Sequence, residues 1–318
     1  MVTVGSDRTA PREFVADSVV VAVADSVVVA IPAVWRDYLT LTKPRVMSLL
    51  VLTAICAMMA AAGGAPSLSG LLALTLGGCL ACGGASAFNH VLDRDIDRMM
   101  GERTANRPVA AGRIRPRDAM LFGVTLCVLA FALMWALDNL LAAALAAGGG
   151  AFYVVVYTLG LKRRTSANIV IGGAAGAFPA LAGWAAATGS LGVGAWYLFA
   201  IVVIWTPPHF WSLALLLRRE YEDADIPMLP VVRGERHTAL QIQIYSVALV
   251  ALTVVPGVAG VFGALYLVGA VVLGAVFCGF SWRLWREPNR AHAAHLFHFS
   301  LLYLALLFAA VAADALVR

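Results

Sequence analysis

Residues 71–98 read LLALTLGGCLACGGASAF followed by NHVLDRDIDR. The first part, Leu71 to Phe88, carries no charge and no proline, and its length suits most of a bilayer crossing. The second part crowds Asp93, Asp95 and Asp97 with Arg94 and Arg98 at the mouth of that helix. On a helix, residues four apart lie nearly above one another, so Asn89, Asp93 and Asp97 share one face. Two carboxylates and an amide oxygen stacked in this way repel unless a cation neutralises them. An all-oxygen donor set suits a hard ion, and Mg²⁺ typically keeps waters and is completed by substrate phosphates. The stretch therefore predicts a membrane helix ending in a Mg²⁺–diphosphate face. The competing account is a solvated helix end whose acids pair with Arg94, Arg98 and Arg103.

The rest of the chain supports the membrane half of that statement. Of 318 residues, 61% are hydrophobic and only 13% charged, with mean hydropathy +0.85. This composition excludes an ordinary soluble domain and predicts an all-α, polytopic membrane helical bundle. Spans are expected near Val46–Ala62, Leu68–Asn89, Ala119–Leu137, Leu140–Leu159, Ile169–Ala187, Trp196–Leu217, Ala239–Val261, Leu265–Trp285 and Leu296–Val317. Residues 1–33 are expected to form a low-complexity tail, since Val15–Ala22 (VADSVVVA) repeats unchanged as Val23–Ala30. Residues 34–318 form one transmembrane domain. The five cysteines lie in apolar runs with neither a disulfide framework nor zinc-ligand spacing, so Cys79 and Cys82 are assigned to packing.

Connections between spans alternate in charge. One set holds Arg94 to Arg117, Lys162 to Arg164, Arg218 to Arg236 and Arg283 to Arg290; the other holds Asp138 and the neutral stretches near 188–194 and 257–263. The positive-inside rule places the first set, and the N-terminus, in the cytoplasm and the C-terminus outside. Within the spans, Gly172 and Gly176 form a small-xxx-small pair for close helix packing. Pro207-Pro208 and Pro256 are expected to kink or break their helices.

The polar clusters all fall on the cytoplasmic side. They are the Asn89 face; Glu102 to Pro108, with Arg103, Asn106 and Arg107; Tyr157 to Asn168, with Lys162 and Arg163; and Pro207 to Pro230, with His209 and Glu220. Carboxylates with several cations on one face suit a metal-bound diphosphate. His209 carries two readings, a haem contact (axial ligation included) or catalytic proton donor, and a core histidine bonded to a freed carbonyl.

Several stretches resemble the UbiA-type intramembrane prenyltransferases, and within them the protohaem IX farnesyltransferase branch. They are Leu41-Thr42-Lys43-Pro44-Arg45, Asn89 to Asp97, Arg103-Thr104-Ala105-Asn106-Arg107-Pro108, Asn168 to Ala177, Trp205-Thr206-Pro207-Pro208-His209-Phe210-Trp211 and Ile226 to Val231. The resemblance runs from about Leu41 onward. It implies a nine-helix bundle with a central cavity open to lipid, and transfer of farnesyl from farnesyl diphosphate to the 2-vinyl group of haem B. It implies Mg²⁺ on Asn89, Asp93 and Asp97. Asp93, Asp97, Lys162 and Glu220 are implied as catalytic. Lys43, Arg45, Arg103, Asn106, Arg107, Lys162, Arg163, Asn168 and His209 are implied as substrate-binding. Implied partners are farnesyl diphosphate, haem B, the lipid bilayer of the cell membrane and a downstream haem-modifying enzyme, with no nucleic acid. The second Asp-x-x-x-Asp motif of many relatives is absent: four residues after Glu220 stands Ala224.

Overall fold

The structure, a computed structural model, describes residues 34–318. The tail expected over 1–33 lies outside the described residues. Among those described there is no strand, and nine helices are long and apolar enough to cross a membrane. They are α1 Pro44–Ala62, α2 Leu68–Leu92, α3 Pro116–Leu137, α4 Leu140–Leu161, α5 Asn168–Thr188, α6 Val193–Leu216, α7 Glu235–Val258, α8 Ala264–Arg286 and α9 Arg290–Val317. Short helices fill the connections on one side: Arg94–Met99 and Glu102–Ala105 after α2, Arg218–Asp223 and Leu229–Val232 after α6.

Helix ends follow local chemistry. Pro44 and Pro116 open α1 and α3, where a missing N–H costs nothing. Ser67, Asn139 and Asn289 cap α2, α4 and α9 through their side-chain oxygens. Gly63 closes α1 at φ 65°, a left-handed conformation that favours glycine.

With no water to exclude between apolar helices, close backbone approach governs packing. A Cβ on Gly84 would fall 2.8 Å from the Gly123 carbonyl, so α2 and α3 meet there backbone to backbone. A Cβ on Gly183 would land on the Ala54 carbonyl, which draws α5 against α1. The proposed pair on α5 is only half used. Gly172 leaves room for the Tyr157 ring, whereas Gly176 faces open space up to Leu50; Gly173, against Thr206, takes the second close contact.

Three findings depart from the expected spans. The last ten residues of α4, Phe152–Leu161, form a π-helix. In α5, Gly173–Ala177 tightens to a 3₁₀ turn. The proline pair does not break α6: the helix runs through Pro207 and Pro208, as α7 runs through Pro256. A proline removes one hydrogen bond, and in α6 the buried flank of Trp205, Thr206 and Trp211 packs on both sides of the gap. On the opposite side of the bundle, the buried Asp314 of α9 accepts the Gly263 N–H at 2.5 Å and the Tyr266 N–H at 3.4 Å, capping the start of α8.

Candidate active site

The Asn89 face is buried. Asn89 is 3% exposed, Asp93 0% and Asp97 1%, although all three lie where α2 gives way to the polar connection. Asp93 ends α2 and begins the helix Arg94–Met99, and the four-residue ladder continues through it: Asp93 N–H donates to Asn89 O at 2.9 Å and Asp97 N–H to Asp93 O at 2.8 Å. The shared face thus survives a change of helix. The acids do not pair with Arg94, Arg98 or Arg103; Arg98 donates instead to the Ala110 carbonyl at 2.9 Å.

Three cations from three segments meet this face. Lys43 Nζ donates to Asn89 Oδ1 at 2.8 Å, Arg107 Nη1 to Asp97 Oδ1 at 2.6 Å, and Lys162 Nζ to Asp93 Oδ2 at 2.5 Å. Asn89 Nδ2 donates to Asp93 Oδ2 at 2.6 Å. Burial, then the charges of Arg107 and Lys162, push the Lys43 amine down to about 7. Burial also raises the Asp97 carboxyl above its ordinary value, against the pull of Arg107. Outside the buried ring, Arg163 clamps Asp95 through two bonds of 2.7 Å and donates to the Leu92 carbonyl at 3.0 Å. That bond holds the Asp95 carboxyl down at about 2.

The donor set fits a divalent ion shared with an anionic ligand. Among the described residues no group of three or more His, Cys, Asp or Glu side chains forms a self-sufficient metal cluster. Two carboxylate oxygens, Asp93 Oδ1 and Asp97 Oδ2, are nevertheless buried without a hydrogen-bond partner. A buried anionic oxygen so left is costly, and Mg²⁺ completed by ligand phosphates would satisfy both.

Other residues expected at the site lie at graded distances from it. Asn168, fully buried, donates to the Lys162 carbonyl at 3.2 Å and so holds the lysine's backbone. Arg45, Arg103 and Asn106 are exposed, with no side-chain hydrogen bond among the described residues. Glu220 stands beside Gly101 and lines a separate polar cavity of about 550 Å³ with Arg218, Arg219, Glu222 and Arg290. His209 is stacked between Trp205, with ring centroids 4.3 Å apart, and Phe297, at 5.0 Å; its Nδ1 lies 2.7 Å from Ser300 Oγ. It bonds a serine hydroxyl rather than a freed carbonyl.

The sequence reading missed Thr158, which receives the Asn89 amide at 3.4 Å and donates to the Tyr153 carbonyl at 3.0 Å. A hydroxyl one turn before Lys162 in an otherwise apolar run was the available signal. His90, which helical spacing turns about a quarter-turn off the Asn89 face and so leaves out of the ligand set, is 1% exposed with neither ring nitrogen hydrogen-bonded.

The chain has relatives. The model of the UbiA prenyltransferase family matches residues 50–308. The chain belongs to the UbiA prenyltransferase family. As expected for that family, it is an all-α, multi-pass membrane protein. It is 53% identical over 282 residues to a protein named protoheme IX farnesyltransferase from Thermus thermophilus, covering 89% of this chain and 46% of the relative. The chain thus spans about half the length of that curated relative. Proteins of the same name from Gloeobacter violaceus and Deinococcus radiodurans are 49% and 48% identical, covering 92% and 89% of this chain and 96% and 94% of theirs. Among solved structures, one described as digeranylgeranylglyceryl phosphate synthase superposes with TM-score 0.74 at 19% identity, covering 89% of this chain and 99% of that one. A UbiA homologue from Archaeoglobus fulgidus bound to DMAPP and Mg²⁺ gives TM-score 0.60 at 17% identity, covering 86% and 99%. At such identities these two structures share the fold of the UbiA family.

Proposed function

We propose that this chain transfers the farnesyl group of farnesyl diphosphate to the 2-vinyl group of haem B, releasing diphosphate. One observation carries the reading: a buried Asn89–Asp93–Asp97 face with two carboxylate oxygens that accept no hydrogen bond, ringed by Lys43, Arg107 and Lys162. The names of the bacterial relatives supply the prenyl donor and the acceptor. The Mg²⁺ and DMAPP of the Archaeoglobus homologue support the same division of labour.

Asn89, Asp93 and Asp97 would hold the metal, which supplies a positive centre against the diphosphate oxygens. Lys162, Lys43 and Arg107 balance the charge that builds as the allylic C–O bond breaks. The apolar walls of the spans keep water from the allylic centre until the vinyl group has attacked it. Water then adds to the porphyrin side and a proton is released, leaving a hydroxyethylfarnesyl haem. Arg163, outside the buried ring and bonded to Asp95, offers a cation to haem propionates or departing diphosphate. With the positive loops in the cytoplasm of the cell membrane, the C-terminus faces outside, diphosphate leaves to the cytoplasm, and the haem product passes to a further haem-modifying enzyme.

The experiment is incubation of the membrane-reconstituted chain with haem B, farnesyl diphosphate and Mg²⁺, followed by chromatography and mass measurement of the haem. A farnesylated, hydrated haem is expected. Consumption of farnesyl diphosphate only with a phenolic or quinone-precursor acceptor would overturn the haem reading while keeping the chain a prenyltransferase.

A further inference from the structure

The cavity beside Glu220 takes part in no step derived above. Four span ends meet there: α6 with its Arg218–Asp223 extension, the first turn of α7, the last of α8 and the connection into α9. Its volume, about 550 Å³, is that of a small-molecule site. Leu215, Leu216 and Leu284 give it an apolar part. On either side of Leu284, Trp282 and Trp285 pack with ring centroids 4.7 Å apart, and the Arg286 guanidinium lies 6.0 Å from the exposed Trp282 ring. Aromatic rings and cations at a span end mark the level of the lipid headgroups. The polar lining is Arg218, Arg219 and Arg290 against Glu220, Glu222 and Glu235. Arg218 Nη1 donates to Glu235 at 3.2 Å, and Arg290 Nη1 to the Leu216 carbonyl at 2.9 Å. These bonds fix both guanidiniums without satisfying them. Arg218 Nε is buried with no acceptor, on the two-donor edge that matches phosphate oxygens. Arg219, Glu220 and Glu222 make no side-chain hydrogen bond or ion pair among the described residues. With three charges of each sign, the lining repels a polyanion as much as it attracts one. A neutral apolar ligand would leave Arg218 Nε unsatisfied. A ligand carrying both signs answers both demands.

We propose that this cavity binds a phosphoethanolamine group, with its phosphate on Arg218 and Arg290 and its primary ammonium on Glu222. Cation-lined pockets between span ends are a known way of holding headgroups, and the glutamates here select one that carries an ammonium. A membrane phospholipid and a soluble ester both present this group. Either one bridges the end of α6 to the start of α9. The inference stands apart from the prenyl-transfer reading and survives its failure.

The test titrates the full chain, in a neutral detergent, with phosphatidylethanolamine, phosphatidylcholine and phosphatidylglycerol of identical acyl chains, and counts bound lipid by native mass spectrometry. Phosphatidylethanolamine should bind about 10-fold more tightly than either of the others. The methylated ammonium of phosphatidylcholine has no N–H to donate, and phosphatidylglycerol has no ammonium at all. Arg290→Gln should lower phosphatidylethanolamine affinity about 10-fold. Glu222→Lys should turn the preference toward phosphatidylglycerol. Both residues are exposed, so these variants serve even if Arg218→Gln, which also breaks the pair with Glu235, fails to fold. Arg286→Gln, at the same level but outside the cavity lining, should leave all three affinities unchanged. Soluble glycerophosphoethanolamine is the fourth arm. Displacement of the lipid at similar concentrations makes the soluble ester the occupant, and no displacement makes it the lipid; the site stands in both cases. Equal affinity for the three lipids, tighter binding of phosphatidylglycerol by the unmodified chain, or undiminished phosphatidylethanolamine affinity in either variant overturns the proposal.

Discussion

At the scale of single residues, burial is what turns the Asn89 face from a row of surface acids into a candidate ligand set. Asp93 and Asp97 are sealed from solvent; each has one oxygen hydrogen-bonded to a cation and one with no hydrogen bond, although Arg163 lies 3.8 Å from the second oxygen of Asp93. Asp93→Asn or Asp97→Asn should lower turnover at least about 100-fold, with the melting midpoint held and Mg²⁺-dependent diphosphate binding lost by calorimetry. Near-normal turnover in either variant would remove that residue from the site. Asp138, on the far side between α3 and α4, gives a prediction of opposite character. Both its oxygens are buried without a partner, and burial pushes its carboxyl up to about 6. Unfolded, the group titrates near 3.9. Between about pH 4 and pH 6 the folded chain therefore holds the proton more often than the unfolded one, so stability falls as pH rises through that window. Asp138→Asn should flatten this slope and raise the melting midpoint at pH 7 to 8, measured by thermal scans across the range.

At the scale of elements, the π-helix and the glycine beside it form one device. Gly172→Ala should push the Tyr157 ring and shift the turn that presents Thr158 and Lys162. We expect a cost of about 1–3 kcal/mol and a marked loss of turnover. Gly176→Ala, four residues on and facing open space, should leave both within error; equal effects of the two would assign the sequence effect to helix propensity instead. This contrast also marks what could be seen without coordinates. Hydropathy and alternating loop charge suffice for the spans, because twenty apolar residues and an arginine-rich turn are large signals. A change of helical winding is invisible there, since every residue from Phe152 to Leu161 is apolar or weakly polar whichever way it winds. The four-residue spacing of Asn89, Asp93 and Asp97 was legible because it needs only a local rule. Arg107 and Lys162, which close the site, arrive from separate segments, and nothing in local spacing distinguishes them from the exposed Arg103 and Arg45.

At the scale of the whole molecule, the two membrane faces do different jobs. One gathers the proposed metal ligands and their cations; the other is fastened by Asp314, which carries the start of α8 on a carboxylate from α9 and lies 3.8 Å from Arg318. Asp314→Ala should cost about 1–3 kcal/mol in unfolding experiments and leave kcat unchanged in the folded fraction. A parallel loss of kcat would show that the two faces are mechanically coupled.

Lys43 brings the two demands into a single residue. It sits at φ 51° and ψ 61°, left-handed and not glycine, immediately before the proline that opens α1, and from there its amine reaches Asn89. Glycine or asparagine would adopt that backbone with less strain, so a selection for heat resistance alone should drift toward them at position 43. Such survivors would be hardier and poorer catalysts, and the discomfort of one lysine would be the measure of how far durability had been given up for chemistry.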